Sequence, residues 1–317
     1  GKIIAKAVDL KTGTLDNQTG LIQAEQSVKI DTQNHALLNN NSGEQAGILS
    51  HGSLVMTNVS QLDNISGYIA AVGSADITAQ NTNNSNGQIN SQADLTINQQ
   101  NSGGRIDNLA GQIQAQHNVN LHADTINNSG IGSHIVAGEK LTATANQVIN
   151  VQTKDATVIG GFDAKNIEIN AAELDNQSGA IRASENATLN IQNQLNNQAG
   201  SISSLDTLSI GTPNKTLNVN NTGGELLAQK QLNVKANELI NKGKIISEGN
   251  IDIDLKQSYT HTKDDQILAN DTLKLNTDND LINQSELTAG QKLELSAKNI
   301  KNESGASISS NATHLTA

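Results

Sequence analysis

Apolar and polar residues alternate along this chain in short bursts. Val119-x-Leu121-x-Ala123, Ile167-x-Ile169-x-Ala171, Leu189-x-Ile191, Leu232-x-Val234-x-Ala236 and Leu293-x-Leu295-x-Ala297 each place aliphatic side chains at every second position. A period of two is that of a half-buried strand. Shorter alternating pieces follow glycines, as in Gly67-Tyr-Ile69-Ala-Ala71 and Gly179-Ala-Ile181-Arg-Ala183. No segment sustains a period of 3.6, so the pattern predicts strands and almost no helix.

The bursts are punctuated by a second, recurring signal. Leu62-Asp-Asn-Ile-Ser-Gly-Tyr-Ile69, Leu174-Asp-Asn-Gln-Ser-Gly-Ala-Ile181 and Leu195-Asn-Asn-Gln-Ala-Gly-Ser-Ile202 share an aliphatic residue, Asp or Asn, Asn, two free positions, Gly, one free position and Ile. The central asparagine recurs at Asn17, Asn40, Asn64, Asn84, Asn108, Asn127, Asn150, Asn176, Asn197, Asn220, Asn241, Asn283 and Asn302, with Asn221 an equal choice at the tenth place. The long interval between Asn241 and Asn283 holds one degenerate copy. This amounts to about 14 copies of a unit of about 22 residues.

Two or three short strands per unit describe one turn of a solenoid, whose apolar face is buried only when turns stack. The expected fold is all-β: a right-handed parallel β-helix of about 14 coils, with the hand that parallel crossovers favour. The 317 residues form one repeat segment in this reading, cut from a longer protein, because the chain starts and stops inside the pattern. Asn and Gly suit the corners through their tolerance of left-handed backbone. An asparagine amide also carries both donor and acceptor. Equivalent amides on successive coils can therefore hydrogen-bond along the axis, and the thirteen anchors are the expected ladder.

Composition fits this frame better than an ordinary globule. The chain has two Tyr, one Phe and no Trp, so a core built around large rings is excluded, whereas slender aliphatics fill a narrow interior. Its 44 asparagines and net charge of −11 could signal disorder, but disorder lacks regular apolar spacing. With Arg105 and Arg182 its only arginines, an acidic chain is a poor nucleic-acid partner. The absence of Cys rules out disulfides and thiol-based metal or redox sites. No run approaches the roughly 18 apolar residues of a spanning helix, so no membrane insertion by this segment is expected.

The unit A-x-x-[LI]-x-N-x-x-G-x-I-x-[AS], interleaved with L-x-[LIV]-x-A, resembles the haemagglutinin repeats of filamentous haemagglutinin-like exoproteins. These are exported by two-partner secretion and include the stalks of contact-dependent growth inhibition toxins. The resemblance covers essentially the whole chain. The Asn-Pro-rich motifs of the family's secretion domain are absent, and the single proline is Pro213, so the resemblance implies a piece of shaft. It further implies a secreted location at a Gram-negative cell surface and an outer-membrane transporter as partner. The implied function is structural: a shaft presenting a distal binding or toxin module to target cells, with no enzymatic activity. The alternative is a carbohydrate- or receptor-binding module on the solenoid flank, contacting a glycan or a receptor on a host or neighbouring cell.

An enzyme is the weakest reading. Polysaccharide lyases and hydrolases on this scaffold need clustered acids, usually beside a basic residue or Ca²⁺. Here Asp16, Asp63, Asp107 and Asp175 recur before the ladder asparagine, where Asn39 and Asn196 substitute for them, which is a corner role. Asp264-Asp265 and Asp278-Asn-Asp280 are the densest acids and read as solvated corners. His117 and His122 share a strand at odd spacing and so face opposite ways. No catalytic, metal or cofactor residue is therefore expected. Insertions near Asn41–Ala46, Asn98–Gly104, Val151–Gly160, Gly211–Lys215 and Lys256–Asp265 interrupt the repeat. Asn98–Gly104 and Gly211–Lys215 fall at the same point of the unit and are expected to project from one flank.

Overall fold

In a computed structural model the chain is described over residues 1–42 and 46–317. Among these residues every regular element is a strand, and parallel strands stack into a β-solenoid of about 15 turns about 21 residues apart. The chain divides into two compact units, Gly1–Lys165 and Asn166–Ala317, each built in this way.

A coil of the first unit contains three strands, Gln88–Ser91, Leu95–Gln99 and Arg105–Asp107. The next contains Gln112–Ala115, Asn118–His122 and Thr125–Asn127. Each strand pairs in parallel with its counterpart one coil along, so that Ile89 lies opposite Ile113, Leu95 opposite Val119 and Ile106 opposite Ile126. The period-two pattern thus puts one residue in two inside, and register puts like on like. Ile48, Ile69, Ile89, Ile113 and Ile135 form one such column, fully buried, with Phe162 next to Ile135. In the second unit Ile181, Ile202, Leu226, Ile245 and Ile267 form the equivalent column. Burying such a side chain contributes roughly 1.5–3 kcal/mol, and no coil can obtain it without a neighbour.

Some coils turn one corner without leaving the strand. Asn166–Asp175 pairs with Ala187–Asn196 through a register shift between Ala171 and Glu173. Such a bulge bends the strand while keeping the ladder on both sides.

The asparagine corner works differently from the expectation that glycine supplies left-handed backbone there. The left-handed residue is the second after the asparagine: Thr19, Ser66, Asn86, Ala110, Ser178 and Ala199 all have φ between 49° and 54°. The following glycine answers a steric demand instead. A Cβ on Gly111 would lie 2.1 Å from the Asn84 carbonyl oxygen and 2.6 Å from Asn108 Oδ1, and one on Gly87 would lie 2.0 Å from the Asn64 carbonyl oxygen. The corner of one coil sits directly on the backbone of the coil before, leaving no room for a methyl group.

The two adjacent positions should therefore respond oppositely to substitution. Gly111→Ala is expected to destabilise by roughly 1–3 kcal/mol through overpacking. Ala110→Gly should stay within about 1 kcal/mol of wild type, because relief of the left-handed alanine offsets the entropy of glycine. Urea unfolding of both variants checks this, and a larger loss at Ala110 would return the φ explanation to the corner.

Candidate functional site

In the first unit Asn17, Asn39, Asn64, Asn84, Asn108, Asn128 and Asn150 form an unbroken row. Each Nδ2 donates to the Oδ1 of the next member, over 2.8, 2.8, 2.7, 2.7, 2.8 and 3.0 Å. In the second unit Asn176 donates to Asn197, Asn197 to Asn221 and Asn221 to Asn241, and further on Asn283 donates to Asn302. All these side chains are buried except Asn302. The amides are also tied to backbone. Asn84 Nδ2 lies 3.2 Å from the Gly87 carbonyl of its own corner and 3.0 Å from the Gln112 carbonyl of the next coil. Every bond in the row has the same polarity, so the members polarise one another.

Three expected positions require correction. Asn40, Asn127 and Asn220 are not in this row, and their neighbours Asn39, Asn128 and Asn221 are. In each case two asparagines are adjacent and a glycine three residues beyond the wrong one completes the motif: Gly43, Gly130 and Gly223. Gly43 lies outside the described residues. Gly130 and Gly223 hold the left-handed position, at φ 98° and 63°, that serine or alanine fills elsewhere. A slip of one residue turns a side chain to the other face. Asn40 accordingly accepts the Ile65 backbone N–H, Asn127 donates to Asp107 and Asn220 to Asn196.

These last contacts belong to an outer row. Asn196 Nδ2 donates to Asp175 Oδ1 at 3.0 Å, toward the preceding coil and against the polarity of the inner row. The residue before the anchor also accepts from the backbone two positions on, as Asp16 does from Gln18 and Asp175 from Gln177. That is an Asx turn, which asparagine makes equally well. It explains why Asp and Asn exchange there.

The degenerate coil puts His261 at the anchor position. Tyr259–His261 pairs with Asp280–Asn283 so that His261 lies opposite Asn283, and the histidine is 1% exposed. Nothing in the motif pointed to it, because the asparagine that defines the frame is missing. Asp264 and Asp265 do not act together. Asp264 is exposed, whereas Asp265 turns inward, with its side chain 4% exposed, and accepts the Thr262 backbone N–H at 2.8 Å. His117 lies in the turn before the strand Asn118–His122, and both imidazoles are exposed. Among the described residues no three His, Cys, Asp or Glu side chains are grouped to hold a metal ion. Among them, too, no helix is long and apolar enough to cross a membrane.

The inserted loops are tied to their own units. Gln100 Nε2 reaches Asn34 Oδ1 at 2.6 Å, and Gln80 holds the backbone of Asn101 and Ser102. Lys215 ends its loop between Asp254, at 2.9 Å, and Asp278, at 3.2 Å. Partial burial works against its charge, but the two carboxylates outweigh this and raise its pKa above the ordinary lysine value. Of the insertion Asn41–Ala46, residues 43–45 lie outside the described residues.

Stacked parallel coils with a buried amide row define the class: an asparagine-laddered β-solenoid. Haemagglutinin repeats match residues 2–47, 34–110, 70–161, 162–212, 206–257 and 246–317, and the chain belongs to the haemagglutinin repeat family. It is similar to Toxin CdiA of Yersinia pestis, with 34% identity over 105 residues, which is 32% of this chain and 3% of that protein. The chain thus aligns with only a small part of its relative. No solved structure matches it. The family is one of structural repeat shafts in secreted surface proteins.

Adjacent asparagines make the inner row testable. Asn128→Ala removes the bond that Asn108 makes along the row and the bond that Asn150 receives along it, and should destabilise by ~1–3 kcal/mol. Asn127→Ala removes only partly exposed bonds and should cost under about 1 kcal/mol. Equal losses of melting temperature in the two variants would contradict the assignment.

Proposed function

We propose that this segment is a spacer: part of the shaft of a secreted bacterial surface filament that holds a distal binding or toxin module away from the cell. The observation that carries the reading is the continuity of the buried rows. The aliphatic columns repeat from coil to coil within each unit, and the amide bonds do so from Asn17 to Asn150 and from Asn176 to Asn241, so bending or sliding one coil on the next there breaks several buried contacts at once. A stiff spacer needs this and needs no reactive group, and the segment acts without chemistry of its own. Family membership supports export through an outer-membrane two-partner secretion transporter and display on a Gram-negative cell.

A second reading, glycan binding on a flank, is favoured by one groove of the first unit. It has a volume of about 430 Å³, and Tyr68, His51, Asn90, Gln92, Gln114 and Gln116 contribute to its lining. Phe162 and Tyr259 are buried, so Tyr68 is the aromatic residue the surface presents, and no Asp, Glu, Lys or Arg lines the groove among the described residues. Amides beside one ring suit an uncharged polyol.

Removing residues 177–197, from one anchor to the next, shortens a spacer by one coil and restores the corner as Asn176-Gln198-Ala199-Gly200. Bacteria displaying the full-length protein with this deletion should attach to or act on target cells as before. Lost activity at unchanged surface display would contradict the spacer. Tyr68→Ala, screened against neutral oligosaccharides beside the parent, addresses the groove: a glycan retained by the parent and lost by the variant would establish the second reading.

A further inference from the structure

The inner row of the second unit has a fault at His261, where several observations converge. Asn241 Nδ2 and His261 Nδ1, on successive coils at the anchor position, are buried polar atoms without a hydrogen-bond partner among the described residues. The backbone breaks at the same place. Asn218–Asn220 pairs with Glu238–Ile240, but Tyr259–His261 belongs to a separate three-stranded sheet with Asp280–Asn283 and Asn299–Asn302. The coils remain joined on either side, through Gln257 N–H to the Asn237 carbonyl at 2.8 Å and Gln266 N–H to the Gly243 carbonyl at 2.9 Å. Tyr259 lies at this break. Two residues before the anchor it takes the inward place that Leu239 and Leu281 hold in the flanking coils, and it is 2% exposed.

The groups around the histidine offer it two partners. His261 Nε2 donates to the Glu286 carbonyl at 3.0 Å, as Asn283 Nδ2 does to Ser307. Nε2–H therefore stands in for the amide N–H, and a neutral imidazole leaves Nδ1 as the acceptor, the counterpart of Oδ1. Asn241 Nδ2, on the preceding coil, lacks the amide acceptor its equivalents have, and its side chain acts instead on the Tyr259 phenol, whose pKa, raised by burial, it lowers in part. On its own coil His261 Nδ1 lies 3.8 Å from Asp265 Oδ2, which also accepts from the Tyr259 hydroxyl at 3.3 Å. Burial, then the charge of Asp265, holds the Tyr259 phenol well above its ordinary pKa, and burial raises Asp265 despite its hydrogen bonds. The other charged groups here are Glu225, Lys244, Lys263 and Asp264, which line a depression over Asp265, and Glu286, which is exposed and faces His261 through its carbonyl.

We propose that the coil Tyr259–Asp265 is a proton-sensitive joint of the second unit: neutral His261 accepts the bond from Asn241 and closes the amide row, and protonated His261 donates to Asp265 and leaves the row open. Asn241 and Asp265 both act on the neighbouring Tyr259 hydroxyl, and the proton on the ring decides which of them is a match. Acidification should thus loosen the second unit at this coil alone.

The chain carries its own probe. It has two tyrosines and no tryptophan, so in Tyr68→Phe all tyrosine emission comes from Tyr259, beside the exchanging groups. Emission from the full chain, with hydrogen–deuterium exchange corrected for intrinsic rates, is followed between about pH 8 and pH 5, the range in which a histidine titrates. The expected result is a sigmoidal change in emission together with a severalfold loss of protection confined to 238–243 and 259–266. Tyr68→Phe/His261→Asn supplies the residue other coils carry, and should be flat over the range and at least as protected as the parent. Tyr68→Phe/Asp265→Asn removes the counter-charge and should move the transition to lower pH. A flat parent, a His261→Asn variant that follows the parent's pH course, or an Asp265→Asn variant with an unmoved midpoint would each overturn the joint.

Discussion

A polar amide sealed inside an apolar tube must find partners there, and the rest of this structure follows from that constraint. An unpaired buried amide costs on the order of 1–3 kcal/mol, comparable to what a buried aliphatic side chain contributes. The inner asparagine has no water to turn to, and its own coil offers only part of what it needs. Its remaining bonds come from the coils before and after. The amide row therefore does more than add stability. It fixes the register of one coil on the next, because a slip of one residue would expose the asparagine and bury an outward residue in its place.

The corner glycine belongs to the same constraint. Amides bond at 2.7–2.8 Å through most of the row, as between Asn64, Asn84, Asn108 and Asn128, which requires successive corners to come very close. Gly87 and Gly111 let the backbone approach that far. The left-handed turn is a separate matter, carried by whichever small or polar residue stands one place earlier, at modest strain. Outside the row, Asp and Asn exchange freely at the preceding position because only an acceptor is required there. A corner such as Asn108–Gly111 thus combines a position where asparagine joins the row, one where a Cβ would clash and one that tolerates several side chains.

Departures from the unit acquire meaning against this background. The loops at 98–104 and 211–215 are each held to other coils of their own unit, by Gln80 and Gln100 in the first and Lys215 in the second. His261 is a departure inside the row. It keeps the donor of an asparagine on Nε2 but replaces the amide oxygen with a ring nitrogen, and its strand, which begins at the buried Tyr259, is not paired with the preceding coil. Stiffness in a solenoid is set by its weakest junction, since each coil contacts only its neighbours.

Much of this molecule is legible without coordinates. Alternation of period two, the regular spacing of the Asn-x-x-Gly corner and the lack of aromatic residues point to a stack of parallel strands with a narrow aliphatic interior, because a unit of about 22 residues repeated in this way buries its apolar face only against its neighbours. Where one asparagine stands alone in the frame, as at Asn64 or Asn108, the spacing singles it out. Where two are adjacent and the glycine spacing suits the outward one, as at Asn39-Asn40, Asn127-Asn128 and Asn220-Asn221, the spacing misleads, and the close approach of coils decides that Asn39, Asn128 and Asn221 point inward. Sequence likewise marked the corner glycine but ascribed it to φ, since the contact that excludes a side chain comes from a residue more than twenty positions away. The place of His261 was decided by tertiary structure for the same reason: its role depends on Asn241 below, Asn283 above and the inward turn of Asp265, none of which its own segment specifies.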